Sequence, residues 1–310
     1  MDRFGALSAF VAVVEHGGFA PAGRRLGMAP SSLTRQVDNL EASLGTQLVN
    51  RSTRKISLTE AGVHYFEDAR RILEELENAD RSVTESQGAV AGTLRVTMPV
   101  AFGRLHVAPF IPRFLREHPG MRLDIQLTDG VSDLVEDRLD LAIRLGVVMP
   151  SQIIARQMGP HRRVICASPD YLGERGIPTT PADLAKHNCL VFEYQTGDSM
   201  WTLVRGKDIV RVPVTGNLRA SGSELLREAA IGGAGVLLMP TWLVGHDIAG
   251  GRLIPLLEDW EPMTISGESA IWALYPPSRR GSPKIRSFLD FLQARFGSPP
   301  YWDRQAQPAA

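Results

Sequence analysis

The chain has 310 residues, 44% of them hydrophobic and 22% charged, a composition that excludes disordered, collagen-like and coiled-coil classes and supplies core for two domains. Lys plus Arg number 34 and Asp plus Glu 34, so no global positive field draws the chain to nucleic acid or membrane, and any such surface must be local. Two cysteines, Cys166 and Cys189, are too few for a disulfide scaffold and too far apart for a zinc or CxxC pair, which fits a reducing cytoplasm.

In chain order, Leu7, Phe10, Val11 and Val14 keep helical spacing, so residues Arg3 to Glu15 read as a helix and not as a signal peptide. Phe19 to Leu26 gives a second helix, stopped at Gly27, where a residue tolerant of positive φ turns the chain. A third starts at Pro30, which suits a first helical turn, and Leu33, Val37, Leu40 and Leu44 mark its buried face. Ser31, Ser32, Thr34, Arg35, Asp38 and Asn39 are left outside, with Gln36 beside them. Two helices about a tight turn, the second with a polar outer face, make a helix-turn-helix. Ser, Thr, Gln and Arg bond phosphates and base edges, and the planar fork of Arg35 suits guanine. A merely solvated helix face would carry the same residue types.

Asn50 to Lys55 is a basic turn between Leu48-Val49 and the alternating Ile56-Ser57-Leu58, the pattern of a two-stranded wing. Between residues 18 and 60, Arg24, Arg25, Arg35, Arg51, Arg54 and Lys55 face only Asp38, Glu41 and Glu60, so the neutral total hides a basic module. Arg51, Arg54 and Lys55 are phosphate-binding candidates. A long helix follows to about Gly88, with Thr59 as its N-cap. Phe66, Ala69, Leu73, Leu76 and Val83 form a heptad-like stripe, suited to a partner helix or to packing within the chain.

After Gly88 to Gly92, strands and helices alternate: Leu94–Met98 strand, Phe102–Glu117 helix, Leu123–Leu127 strand, Ser132–Arg138 helix, Asp140–Leu145 strand. A comparable half follows, with strands at Arg163–Ala167, Ile209–Val214 and Gly235–Met239 and a capped helix start at Thr180. Ala270–Tyr275 then reads as a strand and Pro283–Phe296 as a helix. This predicts two α/β lobes with mainly parallel sheets and a cleft between them. Ligands of such lobes lie at strand ends, near helix N-termini. Pro99-Val100-Ala101-Phe102 and Ser221-Gly222-Ser223-Glu224 are such places; Ser221 with Glu224 also has capping-box spacing. Arg144, at a strand end, could meet an anionic ligand or a structural partner.

Together these residues identify a resemblance to the LysR-type transcriptional regulators. It rests on Phe10, Val13, Gly17-Gly18-Phe19, Ala22, Leu26, Leu40-Glu41, Leu44-Gly45, Leu48, Arg51 and Leu58-Thr59-Glu60-Ala61-Gly62 in that order and spacing. The second domain adds Leu94-Arg95-Val96, Asp140 to Arg144, Ser168 to Leu172 and Gly233 to Pro240. The resemblance implies an α/β multidomain protein with a winged helix-turn-helix at 1–60, a dimerising linker helix at 61–88 and an effector domain at 92–296 like periplasmic solute-binding proteins. Its lobes would take about 92–162 with 267–296, and about 163–266, leaving 297–310 as a mobile tail.

It further implies a cytoplasmic homodimer or homotetramer on inverted-repeat promoter DNA, with RNA polymerase as a possible neighbour and no cofactor or membrane partner. The family's effector pocket falls near Val100, Ala101, Arg144, Val147, Trp201 and Ser221; Pro99, Phe102 and Ser223 complete the candidate set. Because Pro99-Val100-Ala101 offers no hydroxyl, an aromatic or partly apolar carboxylate is preferred over a small polar acid. Trp201 could equally be ordinary core. Gly23 replaces the family's usual alanine and should loosen the second helix by up to ~1 kcal/mol. Ala29 forgoes an N-cap worth about 1 kcal/mol, and Val49 replaces a usual phenylalanine.

Rival readings fare worse. An enzyme on the same lobes would need a GxSxG elbow, HExxH, Walker loop or paired carboxylates, and none is present. Gly232-Gly233-Ala234-Gly235 precedes a strand, so it reads as a turn and not a dinucleotide loop. Redox sensing through Cys166 is disfavoured by its apolar strand, and His106, His118, His161, His187 and His246 lack metal-ligand spacing.

Overall fold

The computed structural model of the chain describes residues 2–51, 56–84, 90–130, 134, 137–148, 152–192, 200–263 and 269–305. It divides into two compact units, Met1–Gly92 and Thr93–Ala310.

The first unit holds α1 (Arg3–Glu15), α2 (Phe19–Leu26), α3 (Pro30–Leu44), β1 (Val49–Arg51), β2 (Ile56–Leu58) and α4 (Glu60–Thr84). Asp2 caps α1, its side chain accepting the Gly5 N–H at 3.1 Å. Gly27 ends α2 at φ +66, the left-handed conformation that lets the chain turn at once into α3. Leu33, Val37 and Leu40 are fully buried with Phe10 and Val13 of α1. The wing pairs antiparallel, Val49 opposite Leu58. Glu41 fixes it to α3: one carboxylate oxygen accepts from Leu48 N–H at 2.7 Å and Val49 N–H at 3.0 Å. Ala29 caps α3 with no side-chain bond, as the sequence implied. Gly23 differs from expectation. A Cβ there would sit 2.6 Å from the Met28 carbonyl oxygen, so the lost helix propensity accompanies a close approach that this turn uses.

The second unit begins with β3 (Gly92–Met98), a short α5 (Val100–Phe102), α6 (Ile111–Glu117), β4 (Met121–Leu127), β5 (Leu141–Gly146) and β6 (Ile154–Pro160). The chain then crosses to a second lobe of β7 (Arg163–Ala167), α7 (Pro169–Arg175), β8 (Cys189–Phe192), β9 (Met200–Arg205), β10 (Asp208–Pro213), β11 (Arg219–Ala220), α8 (Ser223–Ile231), β12 (Val236–Pro240), α9 (Thr241–Ala249), β13 (Ile254–Leu256) and β14 (Glu261–Met263). It returns as β15 (Ala270–Tyr275), α10 (Pro283–Phe296) and α11 (Tyr301–Gln305).

The sheets are mixed, correcting the mainly parallel expectation. The first lobe orders β4-β3-β5-β15-β6, the second β11-β8-β12-β7-β13. β3 runs parallel to β5 and β8 to β12, while β15 and β7, the strands that enter from the other lobe, pair antiparallel with their neighbours. The expected helix at Phe102–Glu117 is broken into α5, a widened turn Gly103–Val107, a tight turn Ala108–Phe110 and α6, because Pro109 and Pro112 each remove a backbone donor. Most of the expected helix at Ser132–Arg138 lies outside the described residues.

The expected mobile tail is also corrected. Trp302 is buried to 1% exposure against Phe102 and Phe296. Asp303 is likewise buried and accepts a hydrogen bond from Thr241 Oγ1 at 2.5 Å. Residues 306–310 lie outside the described residues.

Tyr301 and α9 together hold His106 in one tautomer. Its Nε2 lies 2.8 Å from the Trp242 carbonyl, which can only accept, so Nε2 carries the hydrogen and Nδ1 accepts from the Tyr301 hydroxyl at 2.5 Å. Burial pulls the imidazole from 6.5 down to about 4. The unfolded chain therefore takes up this proton first as pH falls; the stability His106 contributes is complete above about 6.5 and is lost progressively towards about 4. We expect a loss of ~2 kcal/mol between neutral pH and about pH 5 from this residue alone. Unfolding curves across that range should show a flatter pH dependence for His106→Gln, whatever its absolute stability; an unchanged slope would refute the assignment.

Candidate functional site

On α3 the side chains divide cleanly. Leu33, Val37 and Leu40 are buried, Ser31, Arg35, Asp38 and Asn39 are exposed, and Ser32, Thr34 and Gln36 are half-buried beside them. The Thr34 hydroxyl donates back to the Pro30 carbonyl at 3.0 Å. Arg24 and Arg25, in the last turn of α2, are also exposed. The side chain of Arg51 and all of Arg54 and Lys55 lie outside the described residues.

The stripe on α4 is partly used within its own unit. Ala69 is fully buried, Phe66 meets the Phe10 ring edge-on at 6.3 Å between centroids, and Leu73 packs against the same core. Leu76 and its neighbour Ile72 stay exposed, and the Val83 side chain lies outside the described residues. A partner can therefore meet only what remains of the stripe.

In the second unit the two lobes enclose a cavity of about 460 Å³. Pro99, Ala101, Thr128, Asp129, Gly130, Arg144 and Leu145 form the wall from the first lobe. His161, at the crossing, and Arg163, Phe192, Met200, Trp201, Thr202, Ser223, Met239, Trp242 and Met263 form much of the rest. The Val100 N–H donates to Asp129 Oδ1 at 3.1 Å, closing the loop after β3 against the loop after β4. His161 donates to or accepts from Ser269 Oγ at 2.9 Å. Burial, reinforced by the charge of Arg163, pulls its imidazole down to about 3.

Of the expected effector residues, Pro99, Ala101, Arg144, Trp201 and Ser223 line this cavity. Trp201 lines the cavity and is also buried in the second-lobe core. Four are corrected. Phe102 points into the aromatic cluster with Trp242, Phe296 and Trp302. Val100 contributes its backbone N–H to Asp129 and Val147 follows Gly146 (φ +103), and neither is among the residues lining the cavity. Ser221 is exposed, and the capping box it suggested does not form: Gly222 caps α8 without a side-chain bond, and Glu224 pairs instead with Arg104 of the opposite lobe.

Arg163 and His161 were missed. One signal was present: Arg163 shares the period-two face of β7 with Ile165 and Ala167, both fully buried. Both cysteines are buried and burial pushes their thiols up to about 12, the Asp247 charge adding to this at Cys166. Such thiols stay protonated and unreactive. Among the described residues no cluster of His, Cys, Asp and Glu is arranged to hold a metal, and no helix is long and apolar enough to cross a membrane.

Comparison with known proteins agrees over nearly the whole chain. Residues 4–63 match the bacterial regulatory helix-turn-helix protein family, lysR type, and residues 87–297 match the LysR substrate binding domain. The HTH-type transcriptional regulator PtxR of Pseudomonas aeruginosa is 35% identical over 297 residues, 95% of this chain and 93% of that protein. The HTH-type transcriptional activator TtdR of Escherichia coli is 32% identical over 298 residues, covering 94% of each. The solved structure of CrgA, a LysR-type transcriptional regulator from Neisseria meningitidis, is 34% identical with a TM-score of 0.59, covering 94% of this chain and 97% of that one.

Proposed function

Because the chain belongs to the LysR family of transcriptional regulators, we propose that it reads inverted-repeat promoter sites with α3 in the major groove, under control of a small molecule held between the lobes of its second unit. Arg35, Ser31, Ser32, Thr34 and Gln36 face base edges and nearby phosphates; Arg51, Arg54 and Lys55 of the wing bind the backbone. Two copies join through the part of α4 around Leu76 and Val83 that its own unit leaves uncovered, and pairs of dimers make a tetramer in the cytoplasm, where RNA polymerase is a neighbour on the promoter. The effector is an aromatic or partly apolar carboxylate in the cavity lined by Pro99, Ala101, Arg144, Trp201 and Ser223.

The observation that carries this reading is the two-sidedness of α3, with three aliphatic residues fully buried and Arg35 standing free on the opposite side. Arg35→Ala should lower the preference for operator over random DNA, costing about 1–3 kcal/mol on the operator alone. Arg54→Ala should weaken both DNAs together and reduce the salt slope by about one. Fluorescence anisotropy on DNA upstream of the protein's own gene, against a scrambled sequence at several salt concentrations, separates them. Parallel losses from both variants would overturn the assignment.

A further inference from the structure

The cavity wall carries an unusual electrostatic feature. Arg163 Nε is buried with no hydrogen-bond partner, and among the described residues no carboxylate acts on this guanidinium. Trp242, also in the wall, buries its indole Nε1–H without a partner. The two sit close in the fold, because Arg163 pairs across the sheet with Pro240, two residues before Trp242. Both atoms are donors only. Leaving such donors unpaired costs free energy that a bound acceptor would return. Burial alone lowers the arginine's affinity for its proton, with no acidic neighbour to offset it. His161 beside it is held neutral and adds no second positive charge to the wall. The acid among the described lining residues, Asp129, belongs to the first lobe and accepts the Val100 N–H.

The rest of the wall defines the ligand's body. Trp201, Phe192, Met200, Met239 and Met263 present aromatic and thioether surface, which suits a flat ring. At about 460 Å³ the cavity exceeds threefold the ~150 Å³ that encloses benzene, leaving room for two fused rings and a carboxylate.

Resting on the effector reading of this cavity, we propose that Arg163 is its anion anchor: the effector is an organic monocarboxylate with a one- or two-ring apolar body, its carboxylate seated on Arg163 and Trp242 Nε1–H at the crossing between the lobes. The sequence pointed to Arg144 for this role. Arg163 stands where β7 leaves the crossing, so an anion there ties ligand binding to the strand that joins the lobes. Until the ligand arrives, the charge is a burden on the fold.

The test uses the full-length protein with 1-naphthoate as probe, its neutral amide as control, and titration calorimetry with thermal unfolding as readouts. Wild type should bind the acid at least roughly tenfold more tightly than the amide, and Arg163→Met should abolish that preference. Without ligand, Arg163→Met should unfold at the same or a higher temperature than wild type, which a merely structural arginine would not allow. Ala101→Trp fills the cavity from the other lobe and should remove binding of both compounds. If Ala101→Trp removes binding but Arg163→Met keeps the acid preference, the anchor is wrong and the cavity reading stands. If Ala101→Trp leaves naphthoate binding intact, the cavity reading itself fails. Absence of binding by wild type at millimolar naphthoate, or equal affinity for acid and amide, also overturns the proposal.

Discussion

Asp247→Ala should lower the thermal unfolding midpoint of the effector-binding unit by on the order of 10 °C, a loss of about 3–5 kcal/mol. Asp247 sits on α9 with no exposed surface, and Arg227 of α8 grips it with both arms of its guanidinium, Nε to Oδ2 at 2.5 Å and Nη2 to Oδ1 at 2.7 Å. Arg252 pairs with the same carboxylate after the helix ends, and its N–H and that of Leu253 donate to the Asp247 carbonyl at 2.9 and 3.3 Å. One side chain thus joins α8, α9 and the turn leading to β13. Removing it leaves Arg227, which is largely buried and whose proton is held more firmly by the carboxylate it bonds, with only the exposed Glu228 as an ion-pair partner among the described residues. A half-removed buried pair costs far more than the pair contributes. Asp247→Asn keeps one acceptor and should lose less than alanine. The deficit should persist in high salt, because a buried pair is little screened. Glu117→Ala, which breaks an exposed pair with Arg113, should be nearly silent by comparison. Calorimetric scans of the three variants at low and high salt decide it: a shift of Asp247→Ala no larger than that of Glu117→Ala would sink the idea.

What the sequence made legible was local. The buried face of α3 could be read because Leu33, Val37 and Leu40 meet their core at helical spacing whatever the rest of the chain does. The bounds of α1, α2 and α10 followed from their caps and breakers for the same reason. Strand direction was not legible, because β7 lies between β12 and β13, and β15 between β5 and β6, partners that no local pattern specifies. The α4 stripe shows a different limit. Packing on a neighbouring helix of the same unit and pairing with a second copy both call for apolar residues at alternating three and four spacing. Only the buried position of Ala69 and the contact of Phe66 with Phe10 separate the two uses. The tail was misread because its Pro-rich composition outweighed Tyr301-Trp302, two aromatic residues that a free tail has no reason to carry.

The cavity was half legible. Pro99, Ala101, Arg144 and Ser223 follow from the rule that ligands lie where strands end and helices begin. Arg163 did not, since in sequence it is one of an Arg162-Arg163 pair at a strand start, where basic residues usually face water. Arg162 does so. Arg163 is turned inward because the β7 face it shares with Ile165 and Ala167 is the face that builds the core.

Gly62→Ala should unfold the DNA-binding unit by roughly 3 kcal/mol and abolish operator binding with it, although helix propensity taken alone predicts a gain of about 1 kcal/mol. Gly62 lies in the first turn of α4, where that helix meets the entrance to the wing. A Cβ added there would stand 2.0 Å from the Leu48 carbonyl oxygen and 2.9 Å from its carbon, and backbone atoms cannot swing aside as a side chain would. The carbonyl is held in place: it accepts the Thr59 N–H at 3.0 Å, while the Thr59 hydroxyl accepts the Gly62 N–H at 2.9 Å and donates to the Gln47 carbonyl at 2.8 Å. On its other side Leu48 is buried and tied to Glu41 of α3. Making room for one methyl group must therefore break the Thr59 cap or lever the wing strands off α3. Gly45→Ala supplies the contrast. That glycine ends α3 at φ +65 with nothing within 4 Å of an added Cβ, so its alanine should lose only about 1–2 kcal/mol, from backbone strain alone. Chemical unfolding of both variants, with anisotropy on operator DNA, gives the ranking; a Gly62→Ala protein as stable as wild type would show that α4 and the wing have slack the structure denies.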